Sequence, residues 1–130
     1  MHNEIFERAV AQLVKKDSRY PAQAYGLLEA ALDYTVRMLY ADNRRTGAQH
    51  VSGQQLANGF RDYVVAEYGP FSMHLMNRMN LHETDDLGNL VYNLVEVGAF
   101  GKTDKDRRED FHAVYDWEEA FREPFLPAHS

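Results

Sequence analysis

The sequence predicts a mainly α-helical domain of about five helices, the last three of them followed by a short β-hairpin. Three observations carry this reading. Apolar residues recur at helical spacing through five stretches that are separated by Pro, Gly or polar breaks. The fifth stretch stops at Gly98, and Phe100 and Gly101 then lead into a charged run over residues 102–110. Beyond that run, Phe111, Ala113 and Tyr115 alternate with His112, Val114 and Asp116, the period of a strand that would pair back toward Phe100. Helix, helix, helix, hairpin is the order of a winged helix, and such an order by itself names no function.

The first helix follows Asn3, a suitable N-cap, and sets Ile5, Phe6, Ala9, Val10, Leu13 and Val14 on one stripe with Glu4, Glu7, Arg8 and Lys15 off it. A polar connection over residues 16–19 leads to Pro21, which suits a first helical turn. The second helix then runs through Tyr25, Leu28, Ala31, Leu32, Thr35 and Leu39. Its apolar residues spread over more than one side, so it is expected to lie centrally, with Asp33 and Arg37 on its wet face. Residues 42–49 have no apolar period and read as a loop, too short for a linker between domains.

Ser52 is a natural N-cap with Gln55 three residues on, the pattern of a capping box, and Leu56, Phe60, Tyr63 and Val64 form the stripe of a third helix that Gly69 stops. Pro70 opens a short fourth helix. Thr84, Asp85 and Asp86 open a fifth, with Leu87, Leu90, Val91, Leu94 and Val95 on one face. After the hairpin, Trp117 to Phe121 reads as a last helical turn, and Pro124 and Pro127 then end regular structure. The chain is thus expected to be a single domain, 1–130, built from a helical pair in 1–41, a winged-helix-like unit in 50–116 and a flexible tail in 124–130. Leu28, Leu32, Phe60, Val64, Leu90, Val91 and Leu94 are its expected core.

Composition narrows the function. A chain of 130 residues with 45% apolar residues, seven Phe and eight Tyr can build a real core. No run approaches the roughly 18 apolar residues of a membrane span, and no basic segment with an apolar one behind it opens the chain, so a cytoplasmic protein without membrane contact is expected. There is no cysteine, which removes disulfides, thiolate nucleophiles and cysteine-ligated zinc. The net charge of -6 is uneven: residues 51–130 hold seven Lys or Arg against fourteen Asp or Glu. Such a field repels phosphate backbones, which disfavours nucleic acid and favours another protein as the partner.

A resemblance extends over most of the chain, from about residue 5 to residue 121. Tyr20, Pro21, Ala22 and Tyr25, then Ala31, Leu32, Asp33, Tyr34 and Thr35, then the run from His50 to Gln54, begin it. Arg61, Asp62 and Tyr63, Gly69 and Pro70, and the run from Thr84 to Gly88 continue it. Gly101, Lys102 and Thr103, with Glu109, Asp110 and Phe111, end it. Together they resemble a small uncharacterised bacterial family described as restricted to Planctomycetes and Verrucomicrobia. The resemblance implies a free-standing bacterial protein and supplies no catalytic residue.

No residue is assigned a catalytic, cofactor-binding or metal-binding role. Gly101, Lys102 and Thr103 end like a phosphate-binding loop, but Glu96 stands where its first glycine belongs, and the segment follows a helix where that loop follows a strand. His82 and Glu83 lack a second histidine at the zinc-binding spacing, where Asp86 stands instead. Asp85 and Asp86 suit a helix N-terminus, where anions oppose the dipole. What remains as a partner-binding surface is Arg61 together with Lys102, Arg107, Arg108, Glu109 and Asp110 at the tip of the expected hairpin. The expected function is a non-catalytic protein-interaction module. A winged-helix, transcription-related DNA-binding protein is the first alternative, although the fifth helix exposes no Lys or Arg to a groove. A small enzyme whose polar residues converge only in three dimensions is the second.

Overall fold

The computed structural model describes residues 4–41 and 50–127. The Asn3 cap, the loop expected over 42–49 and residues 128–130 of the expected tail lie outside the described residues. Six α-helices occur among those described: α1 (Glu4–Lys16), α2 (Ala22–Tyr40), α3 (Gly53–Tyr68), α4 (Ser72–Arg78), α5 (Thr84–Glu96) and α6 (Trp117–Phe121). Short 3-10 turns lie at Gly69–Phe71, Arg108–Phe111 and Glu123–Phe125. None of the helices is long and apolar enough to cross a membrane.

Local chemistry explains the helix starts. Ser52 Oγ accepts the Gln55 amide at 3.1 Å while Gln55 Oε1 accepts the Ser52 amide at 2.9 Å, the reciprocal capping box that begins α3. One carboxylate oxygen of Asp86 accepts the amides of His82 at 2.8 Å and Glu83 at 3.2 Å, which anchors the chain entering α5. Asp116 does the same for α6 through the Glu119 amide at 3.0 Å.

The core is one cluster drawn from every α-helix and from Phe111. Leu28, Phe60, Val64, Leu90 and Leu94 are fully buried in it. Leu32 and Val91 pack against it half-buried, because they face a pocket described below. Helix α2 packs on α1, α3 and α5, but α5 is the more enclosed element. It contacts α1, α2, α3 and the 108–111 turn, and Glu96 alone among its residues is exposed.

The expected hairpin does not form: no strand occurs among the described residues, so the winged-helix-like unit expected over 50–116 is not present. The reason lies at the end of α5. Gly98 turns the chain at φ 81°, and the amides of Ala99 and Phe100 bond back to the Leu94 carbonyl at 2.9 and 3.2 Å. The donors that a strand near Phe100 would offer are thereby committed to the helix C-terminus. On the other side, Ala113 sits at φ 48°, outside any extended conformation. The alternation of Phe111, Ala113 and Tyr115 has another cause, since Phe111 is a buried anchor between two helices.

Two glycines admit that anchor. A Cβ on Gly53, at the start of α3, would lie 2.9 Å from Asp110 Cβ and 3.0 Å from the Phe111 ring. One on Gly88 of α5 would lie 3.1 Å from Phe111 Cβ. Without side chains at both places the 108–111 turn docks tightly across α3 and α5. Part of the expected tail is also ordered into structure, because Pro124 falls inside the turn Glu123–Phe125 and Phe125 is half-buried.

Candidate functional site

Docking the 108–111 turn on α3 and α5 leaves a pocket of about 220 Å³ between α2, α3, α5 and the segment that follows α5. Its floor is apolar, from Leu32 and Val36 of α2, Leu56 of α3, Val91 and Val95 of α5, and Phe100. Its rim is charged, with His50, Lys102, Asp106, Arg107 and Asp110. The pocket exists because α5 ends in a turn in place of a strand. The segment after Phe100 meets α5 again at Arg108, and docks on α3 and α5 through Asp110 and Phe111.

The rim carboxylates are engaged within the protein. Asp106 accepts the Thr103 amide at 2.8 Å and faces His50 Nε2 at 3.1 Å, so it closes the 103–106 turn and ties it to the approach to α3. Asp110 accepts the Arg107 amide at 3.0 Å and packs against Gly53. The cations are different. Lys102 Nζ donates to the neighbouring Thr103 carbonyl at 3.1 Å, and neither Lys102 nor Arg107 pairs with a carboxylate among the described residues.

The six surface residues singled out in the sequence therefore divide. Lys102, Arg107 and Asp110 meet at the pocket. Arg108 points away along α5, where it donates to Asn89 Oδ1 at 2.6 Å and lies over the Tyr92 ring at 5.2 Å. Glu109 is exposed outside the pocket. Arg61 is on a separate face, held by Asp62 at 3.0 Å, by Asn58 at 3.1 Å and by the Tyr115 ring at 5.3 Å. The turn that carries Arg107 to Asp110 is helical, not the tip of a hairpin.

Sequence reasoning missed His50 and Asp106. Thr103 and Asp106 stand at the spacing of a side-chain-closed turn and were legible as one. The pairing of Asp106 with His50 was not, because 56 positions of helix and loop separate them. Among the described residues, the other histidines lie elsewhere: His112 pairs with Asp85 at 3.0 Å, His74 packs on Phe71 at 4.7 Å, and His82 meets Asn80 at 2.8 Å. No group of three or more His, Asp or Glu side chains among the described residues is arranged to hold a metal ion.

The polar side of α5 is also engaged, although its spacing suggested an exposed face. Tyr20 donates to Asp86 at 2.6 Å and accepts from Asn89 at 2.9 Å. Asn93 donates to Tyr25 at 2.9 Å and to Asp17 at 3.0 Å. Burial, and then the Asp86 carboxylate, push the Tyr20 phenol well above its ordinary range. The Arg19 guanidinium holds the Asp17 carboxyl far below the usual carboxylate range, against the opposing effect of burial, and Asn93 adds to the lowering. These tyrosines are protonated struts between α5 and the start of α2. The helix that a winged-helix protein would lay in a DNA groove has no free polar face.

Comparison with protein-family models, with curated proteins and with solved structures finds no match to this chain.

Proposed function

We propose that this chain is a non-catalytic protein-interaction module that takes an apolar side chain of a partner protein into the pocket between α2, α3 and α5. The observation that carries this reading is the pocket's size and lining together. At about 220 Å³ it falls below the roughly 300–1,000 Å³ of small-molecule and cofactor sites. That volume suits one large side chain, and an apolar floor inside a polar rim is the anatomy of an anchor site at a protein interface. The acidic balance of residues 51–130 agrees with it.

The test is affinity capture from a lysate of the source organism with the wild-type chain and with Val95→Trp, which fills the pocket from α5. A protein enriched on the wild type and lost on the variant is the expected result, with circular dichroism showing that both are folded. Identical capture profiles would remove the pocket from the interaction.

A second reading has one observation in its favour. His50 Nε2 pairs with Asp106 at the pocket mouth, a carboxylate–histidine pair that leaves Nδ1 as the ring nitrogen for general-base chemistry. Hydrolysis of p-nitrophenyl esters by the wild type, abolished in His50→Ala, would move the protein to the small hydrolases. Equal background rates in both retain the interaction reading.

A further inference from the structure

We infer that the pocket selects an acidic partner segment, one that sets a large apolar side chain beside carboxylates, with the apolar group on the floor and a carboxylate against Lys102 and Arg107. This rests on the interaction reading above and adds the chemistry of the occupant. In the sequence the run 102–110 alternates in sign and favours neither charge. The structure breaks that symmetry. Asp106 is turned to the Thr103 amide and to His50, and Asp110 to the Arg107 amide, so both acids at the rim already have donors. The exposed Lys102 and Arg107 lack carboxylate partners among the described residues, and the remaining acids of the run, Asp104 and Glu109, do not line the pocket. A cationic partner would have to compete for carboxylates whose loss opens the 103–106 turn. An anionic partner meets two cations that hold no carboxylate among the described residues, with only the bond from Lys102 to the Thr103 carbonyl beside it. Residues 51–130 carry an excess of acids, so Lys102 and Arg107 are cations in an otherwise acidic half of the chain.

Fluorescence anisotropy on the full chain tests the inference with three labelled probes: short peptides with Phe between two Glu, Phe between two Lys, and Ala between two Glu. The wild type is expected to bind the Glu-Phe-Glu probe at least tenfold more tightly than either of the others. The double variant Lys102→Glu, Arg107→Glu is expected to lose that affinity tenfold or more and to prefer the Lys-flanked probe. Arg107→Gln serves as a milder variant with an intermediate loss, should the double variant melt early. If the wild type binds both Phe probes alike, or the charge reversal changes nothing, the acidic selection is overturned while the apolar pocket still binds. If no Phe probe binds at millimolar concentration, the inference and the interaction reading fall together.

Discussion

The hydroxyl of Thr84, the first residue of α5, donates to the carbonyl oxygen of Phe111 at 2.5 Å, and Thr84 Oγ1 in turn accepts the Val114 amide at 3.2 Å. Thr84 is itself buried, so one side chain satisfies two backbone groups of a segment that has no sheet to pair with. Thr84→Val keeps the shape and removes both bonds. A loss of about 1–3 kcal/mol in denaturant titration is expected. An unchanged midpoint would show that water replaces the hydroxyl and that the 108–114 segment is not held from α5.

Gly53 and Gly101 make a contrasting pair. Alanine at Gly53 would press on Asp110 and Phe111, whereas nothing lies within 4 Å of a Cβ on Gly101. Gly53→Ala should cost roughly 1–3 kcal/mol through displacement of the docked turn. Gly101→Ala should stay within about 0.5 kcal/mol of the wild type. Thermal melts of both decide it, and equal effects would mean that the turn is not closely packed on α3.

Asp17 predicts the acid limb of stability. Its pKa is lowered on folding, chiefly by the Arg19 side chain, so its contribution is complete above the ordinary Asp value of about 3.9 and is lost as pH falls from there toward the lower folded value. Asp17→Asn should therefore lower the melting temperature at neutral pH. The gap between variant and wild type should close as the pH is taken below that of free carboxylates. A gap that persists unchanged in acid would assign the effect to packing, not charge.

Binding to random-sequence duplex DNA should be negligible at physiological salt. Residues 51–130 carry twice as many acidic as basic residues, and the polar side chains of α5 are bonded to Tyr20, Tyr25 and Arg108. A gel shift reads this directly. Micromolar binding with a steep salt slope would contradict the charge argument.

The sequence by itself determined where the helices begin and end, because those decisions are local. Ser52 with Gln55, Asp86 in the first turn of its helix, Gly69 and Gly98 each act within one turn of their own position, and the apolar stripes they bound supply the core. What the chain does between Gly98 and Trp117 was decided only by tertiary structure. The period-2 pattern at Phe111, Ala113 and Tyr115 fits a strand, yet the amides of Ala99 and Phe100 bond to Leu94, and the slot between Gly53 and Gly88 takes Phe111 as an anchor. The pocket follows from that choice. Which charges in residues 102–110 remain without a carboxylate or amide partner is likewise invisible in sequence, since Asp106 and Asp110 accept hydrogen bonds from donors whose positions exist only once the turns have formed. A carboxylate's availability depends on where backbone N–H groups and His50 come to rest, and that is a property of the folded chain.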